Sequence, residues 1–356
     1  MNVMQMVLPC VLQKYNNRGM DKVAVVILNW NGAELMKRFL PSVLKYTRGR
    51  VYVADNASTD HSLDMLKTDF LDVGIICLDQ NYGFAEGYNR ALASVEAEYF
   101  VLLNSDVELK SDWITPMLEY MEVHPQVAVC QPKILGQTSP DSFEYAGACG
   151  GFLDALGYPY CRGRIFNTVE KDNGQYDSVL PIFWATGAAM MVRAQVYRDN
   201  GGLDGRFFAH MEEIDFCWRL RSRGYGIVCI PTSVVYHVGG GTLPQKNPRK
   251  TFLNFRNNLY MLYKNLSDEQ LKSVMRQRVL LDILAALQFL MKGEWGSSKA
   301  IFEAYHVFYK NKKSFLKSRR ENMAKTILKT VPEQYPYSIL WEYYVRRHKT
   351  FAEIRD

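Results

Sequence analysis

The strongest constraint on the fold is a rhythm between Lys22 and Leu135. Short apolar runs each halt on Asn or Asp, and stretches of helical spacing separate them. VAVVILN (23–29) is apolar throughout and β-branched, the pattern of a strand covered on both faces. AELMKRFLPSVLKY follows with helical spacing, then VYVADN, the helical DHSLDMLKTDF, GIICLDQN, the helical GYNRALASVEA and YFVLLNSD. SDWITPMLEYMEVHP opens on the capping residues Ser111 and Asp112 and stops at a proline, and VAVCQPKIL reads as a fifth strand. Strands alternating with crossover helices form βαβ units, so an α/β domain with a mainly parallel central sheet is expected.

Residues 136–182 are richer in Gly, Pro, Tyr and Asn and read as a loop excursion that sets the acceptor. Apolar structure resumes at WATGAAMMVR, EEIDFCWRLRSRG reads as a helix closed by Gly224, and GIVCIPTSVVYHV holds one or two strands. Beyond about Arg256 helical segments dominate, and residues 257–356 carry 18 Lys/Arg against 10 Asp/Glu although the whole chain is only +6. That asymmetry marks a second unit with a different partner. The expected division is a leader at 1–21, disordered or ahead of the natural start, a catalytic domain at 22–256 and a basic helical region at 257–356. No stretch is apolar for 18 residues, so no membrane-crossing helix is expected. The seven cysteines are scattered with no CxxC pair, which excludes a zinc ribbon or disulfide framework and points to the reducing cytosol.

Ligands of an open parallel sheet bind beyond the carboxyl ends of its strands. Here those ends read Asn29-Trp30-Asn31-Gly32, Asp55-Asn56, Asp79-Gln80-Asn81 and Asn104-Ser105-Asp106. One polar end is ordinary turn chemistry, but several in register mark a ligand site. Neither GxGxxG nor GxxxxGK[ST] occurs, so a nucleotide is expected rather than a dinucleotide on a Rossmann loop or a phosphate on a P-loop. Asp55 can accept from a base N–H or a ribose hydroxyl. The glycines of NYGFAEGYN (81–89) allow the backbone to approach a flat or charged group. Asp106, a carboxylate at a strand end facing a pyrophosphate, suits Mg²⁺ or Mn²⁺.

Taken in order and interval, ILNWNG, VADNASTD, NYGFAEGYN, LLNSDVEL, ATGAAMMVR, EEIDFCWRLRSRGY and VYHVGGGT resemble the family 2 inverting glycosyltransferases of the GT-A fold. The nearest branch is the bacterial rhamnosyltransferase-like enzymes of polysaccharide assembly, and the likeness spans about residues 22–260. It implies transfer of a sugar from a dTDP-, UDP- or GDP-sugar to a hydroxyl of a glycan or lipid-linked glycan. Asn29, Asn31, Asp55, Asn56, Asn81, Gly83, Asn89, Asn104 and Ser105 would line the donor. Asn104-Ser105-Asp106 stands where the family has its DxD metal motif. Asn104 replaces the first acid, which leaves Asp106 as the carboxylate ligand, and His237 would complete the metal shell. Inversion is one in-line displacement, so a carboxylate must take the acceptor proton. Glu213 matches the second acid of the family's ED motif and is the expected base; Asp215 is second choice, with Arg219 one turn on as a salt-bridge partner. Trp184, Thr186 and Gly187 would form the acceptor side.

The segment 305–320 has six Lys/Arg, no acid and interleaved aromatics, and Tyr335, Tyr337, Trp341, Tyr343 and Tyr344 lie near Arg346, Arg347 and Lys349. This reads as weak contact with an anionic membrane at the inner face of the cytoplasmic membrane, not as a nucleic-acid surface. The rival readings are a sugar-1-phosphate nucleotidyltransferase and a catalytically dead nucleotide-sugar-binding subunit. The first wants a basic Gly-rich loop after strand one, which NWNGAEL lacks. The second has no need of Asp106, Glu213 and His237 together.

Overall fold

The computed structural model describes residues 10–11, 20–239 and 247–355. Its main sheet has the order Cys10–Val11, Gly74–Cys77, Arg50–Asp55, Asp21–Asn29, Ala97–Leu103, Ala189–Arg193, Val127–Gly136, Gly226–His237 and Leu180–Pro181. The six strands from Gly74–Cys77 to Gly226–His237 other than Ala189–Arg193 share one direction, and Ala189–Arg193 runs antiparallel between two of them. The mainly parallel sheet expected from the rhythm is therefore present, as is the α/β fold with a helical C-terminal region. Apolar residues alternate between two clusters, one on each face: Ala24, Val26 and Ala54 belong to one, Val23, Val25, Ile27 and Val53 to the other. Burial on both faces is why these strands read as unbroken apolar runs.

Register aligns the polar strand ends. Asn29 lies opposite Asp55, and Asp55 opposite Cys77. The two-residue strand Val107–Glu108 pairs antiparallel with the end of Gly226–His237, setting Val107 opposite His237. That pairing brings Asp106 and His237 together across about 130 residues of chain.

Two expectations change. The excursion 136–182 is not simply loop: Gly151–Asp154, Pro159–Cys161, Arg164–Ile165 and Thr168–Val169 form a second sheet. Its fifth strand is Gln334–Tyr335, parallel to Gly151–Asp154, so the C-terminal region contributes a strand as well as helices. Of the expected leader, Cys10–Val11 pairs with Gly74–Cys77 and Asp21 opens a strand; residues 1–9 and 12–19 lie outside the described residues.

The helices Pro248–Asn265, Asp268–Met291, Trp295–Asn311 and Leu316–Lys325 make up most of the C-terminal region. The first begins with Asn247 capping Arg249 N–H at 2.9 Å and Pro248 in the opening turn. It crosses the 256/257 boundary expected from composition. Leu259, Tyr260, Met261 and Leu262 from it share one core with Tyr88, Phe207 and Phe216. No helix of the described residues is long and apolar enough to cross a membrane.

Candidate active site

The donor-side residues form a polar network at the strand ends. The Asn29 amide donates to Asp55 Oδ1 at 3.0 Å and to Ser58 Oγ at 3.1 Å, and Ser58 N–H donates to Asp55 Oδ2 at 2.9 Å. Asp55 is thus buried and held in one orientation, with a lone pair of each oxygen still free of these bonds. Asn31, at φ 52°, accepts from Thr59 N–H at 2.7 Å and Asp60 N–H at 3.3 Å, tying the first strand end to the second. Trp30 between them is half-exposed.

Other members of the expected donor set are occupied within the protein. The Asn56 amide bonds Asn81 Oδ1, Gly83 O and Tyr82 N–H, so it shapes the loop. Gly83 has φ +73°, and a Cβ there would lie 2.5 Å from the Phe208 ring. Phe208 O also accepts from Phe84 N–H at 2.6 Å and Ala85 N–H at 3.2 Å. The close approach that Gly83 permits is therefore to Phe208, not to a ligand. Asn89 spends its amide on Leu203 N–H, Leu203 O and the Tyr197 hydroxyl, and fastens the segment leading to the acidic helix.

Asp106 and His237 meet at 3.0 Å, Oδ1 to Nε2, both buried. Asn104 Nδ2 lies 3.2 Å from the same ring nitrogen, and Asn104 N–H donates to Ala188 O at 3.0 Å. Ser105 is half-buried between them. On the other side of the ring Nδ1 is 3.5 Å from Glu144 Oε2, a buried acid that the sequence reading missed because it sits in the excursion without a motif. Burial opposes a charge on His237, but its contacts with Asp106 and Glu144 outweigh it and lift the imidazole to about 10. The donor set suits a hard divalent cation: a carboxylate and an imidazole 3.0 Å apart match the edge of an octahedron with bonds of about 2.1 Å. Glu144 stands where an outer carboxylate orients a metal-bound histidine. Among the described residues no third His, Cys, Asp or Glu joins them, so other ligands would come from the diphosphate and water.

The acidic helix Glu212–Ser222 follows a strained turn. Phe208, His210 and Met211 have φ of 67°, 72° and 72°, values that non-glycine residues seldom adopt and that persist only where surroundings impose them. Asn257 imposes them here: its amide donates to Phe207 O, Ala209 O and His210 O at 2.9, 2.8 and 2.7 Å. Burial, with Lys250 nearby, pushes His210 down to about 4, so it stays neutral.

The three acids have different fates. Asp215 is fully buried and accepts from Arg219 at 3.1 Å, Lys264 at 2.7 Å and Asn265 at 2.8 Å. The Arg219 pair is the one expected from its spacing; the other two partners come from the helix Pro248–Asn265. Glu212 is pushed well up by burial and then by the Glu213 charge. Burial raises Glu213 to about 7, although backbone hydrogen bonds pull the other way. Glu213 Oε2 has no hydrogen-bond partner among the described residues.

The acceptor side is corrected. Trp184 is buried, its indole N–H donates to Phe152 O at 2.8 Å, and its ring fills the space a Gly151 side chain would need. It offers no face for stacking a sugar. Thr186 is buried too, with its N–H on Gln131 Oε1 at 3.0 Å and its hydroxyl accepting from Ala188 N–H at 3.2 Å. Gly187 packs against Phe84. Thr186 and Gly187 shape the turn whose next carbonyl holds Asn104.

Comparison with known proteins bears on the fold and the reaction class. Residues 24–193 match the model of glycosyl transferase family 2. The N-acetylglucosaminyl-diphospho-decaprenol L-rhamnosyltransferase of Mycobacterium tuberculosis is 24% identical over 233 residues, covering 61% of this chain and 76% of that protein. The low-salt glycan biosynthesis hexosyltransferase Agl10 of Haloferax volcanii is 23% identical, covering 67% of this chain and 74% of that one. Among solved structures, GalNAc-T7 with UDP, GalNAc and Mn²⁺ superposes with a TM-score of 0.55 at 14% identity, over 71% of this chain and 49% of its own. The S. aureus TarS 1–349 complex with UDP-GlcNAc gives 0.52 at 14% identity, over 86% and 84%. These two show the fold alone; the family match and the transferases named above favour a glycosyltransferase over the nucleotidyltransferase and non-catalytic readings. Over residues 24–193 the chain carries a family 2 glycosyltransferase domain, and the protein is a rhamnosyltransferase-like, hexosyl-transferring enzyme with a GT-A fold.

Proposed function

We propose that this enzyme moves a hexose from a nucleoside diphosphate to a hydroxyl of a lipid-linked glycan, with inversion, at the inner face of the cytoplasmic membrane. The observation that carries the reading is the division of labour among the acids. Asp106 pairs with His237 at the strand ends and Asp215 is spent on cations, while Glu212 and Glu213 each keep a carboxylate oxygen without a partner among the described residues; Glu212 is pushed well up by burial, and Glu213 is the one held near neutrality. A general base works best when its pKa lies near the working pH.

In this reading Asn29 and Asp55 hold the nucleoside, Asn31 keeps their loop closed, and Asn104 and Ser105 line the phosphates. Asp106 and His237 would hold Mg²⁺ or Mn²⁺, and a cation bound there would supply positive charge against the departing diphosphate. The acceptor hydroxyl gives its proton to Glu213 while its oxygen bonds the anomeric carbon, and the bond from that carbon to the diphosphate oxygen breaks. The rhamnosyltransferase relative, named for a diphospho-decaprenol substrate, supports a lipid-linked acceptor. Purified protein is offered a panel of dTDP-, UDP- and GDP-sugars with Mn²⁺, and nucleoside diphosphate release is followed with and without a prenyl-diphosphate sugar. Acceptor-dependent release that EDTA abolishes supports the proposal. Undiminished release in excess EDTA removes the metal from it, and no release with any donor removes the whole.

A further inference from the structure

The helix Asp268–Met291 is apolar on the side turned away from the protein. Its buried residues Val274, Arg278, Asp282 and Ala286 lie on one face, where Arg278 and Asp282 pair at 3.2 Å. Arg278 also bonds Leu156 O and Asn258, and Tyr158 and Tyr305 bond Asp282 at 3.1 and 2.8 Å. That face is bolted to the second sheet and to both neighbouring helices. On the opposite side, between Gln277 and Lys292, the exposed residues are Leu280, Ile283, Leu284, Leu287, Gln288 and Met291. Leu280 is 65% exposed, Leu284 60% and Met291 83%. At about 100° per residue the five apolar members fall within an arc of about 100°. A solvent-facing arc normally carries charge, and this one carries none for about 16 Å of helix.

The surroundings indicate the occupant. One turn earlier the same arc bears Arg276, and Lys272 lies at its edge a further turn back, both exposed. Beyond Met291 the chain turns through Lys292 and Gly293, at φ +74° in open space, and re-enters a helix at Trp295, which is 71% exposed. The feature is thus a helical hairpin with an apolar outer stripe, an indole at its tip and cations at both ends. A second copy laid on this stripe would set those cations against their equivalents in a region that is already strongly basic. An anionic bilayer complements them, and indole rings favour the headgroup layer.

We propose that the Leu280–Met291 stripe and Trp295 insert shallowly into an anionic membrane leaflet, with Arg276 and Lys292 at the headgroups. This rests on the lipid-linked acceptor of the proposed function, but it moves the contact away from 305–320, the segment singled out by its charge and interleaved aromatics. The stripe is too short to span a bilayer and has the build of an interfacial helix.

The test is co-sedimentation of the full chain with phosphatidylcholine vesicles, with and without phosphatidylglycerol, for wild type, Leu284→Glu/Leu287→Glu and Arg276→Glu/Lys292→Glu. The wild type should partition to the anionic vesicles. The double leucine variant should lose at least about tenfold in partitioning, because each side chain forfeits its transfer out of water. The charge variant should bind more weakly and lose its salt dependence. Melting temperature and the stabilisation by donor nucleotide, measured without lipid, should match wild type in both variants. Wild-type protein that ignores anionic vesicles, or a leucine variant that binds like wild type, overturns the proposal. So does a wild-type dimer that the leucine variant converts to monomer with vesicle binding intact. Loss of donor stabilisation in the wild type would instead defeat the glycosyltransferase reading while leaving the vesicle result standing.

Discussion

Glu213 and Asp215 sit two residues apart on one helix start, and a helix dipole favours both acids without distinguishing them. Their partners do. Replacing Asp215 with Asn removes the charge that Arg219 and Lys264 share in a fully buried site. Lys264 keeps Asp204 at 2.7 Å, but Arg219 loses its carboxylate, and breaking such a buried pair costs about 3–5 kcal/mol, so the variant should melt far lower and refold poorly. Glu213→Gln should instead stay folded and bind donor normally while kcat falls by about 10²–10⁴. A Gln variant within a few-fold of wild type in kcat would exclude Glu213 as base. The raised pKa of about 7 also fixes two pH dependences. The base is competent only when ionised, so kcat should climb as pH rises through about 7. Stability runs the other way. A carboxyl whose folded pKa exceeds its unfolded value favours the protonated fold, and that contribution is complete below about pH 4 and lost as pH rises through about 7. Glu213→Gln should therefore raise the unfolding free energy at pH 8 by roughly 2–3 kcal/mol and leave it unchanged at pH 4. Urea titrations at the two pH values test the sign.

At the scale of elements, the helix Pro248–Asn265 builds the site without entering it. Asn257 holds the Phe207–His210 carbonyls, and Lys264 and Asn265 fix Asp215. Asn257→Leu would leave the Ala209 and His210 carbonyls without their donor in a strained turn, while Phe207 O keeps Arg256 at 2.8 Å. Each buried unpaired group costs about 1–3 kcal/mol, so Tm should fall, and kcat should drop more than donor affinity because the acidic helix is displaced while Asp55 is not. Equal loss of both would place the defect in global folding. The same logic predicts that a chain ending at residue 247 will not fold, as judged by cooperative melting, since Asp215 and the Phe207 core lose their cover.

For the whole molecule, the metal proposal predicts a linkage between donor and cation. Donor nucleotide should raise Tm in the presence of Mn²⁺, and Asp106→Ala should abolish that increment, while its metal-free Tm also falls because buried His237 loses a partner. His237→Gln should weaken it less, because the carboxylate and the diphosphate supply the charge. An increment that survives in Asp106→Ala would move the cation elsewhere.

Much of this was legible along the chain. The parallel sheet, its order of strands and helices and the polar strand ends were read from local periodicity, since a side chain's spacing from its neighbours is a property of sequence alone. The Asp215–Arg219 pair was readable for the same reason, one helical turn being four residues. What escaped depended on contacts between distant segments. Trp184 looked like a binding wall until Gly151 and Phe152 took its ring and its N–H. Asn89 and Gly83 had the composition of ligand contacts, yet residues more than 100 positions away claim them. Glu144 became a neighbour of His237 only through the excursion, whose sheet is completed by Gln334–Tyr335 from near the chain's end. The sequence determined which elements exist and which residue types gather at the sheet's edge. Tertiary structure decided which of those side chains remain unspent, because hydrogen bonds and burial are settled by whatever folds against them.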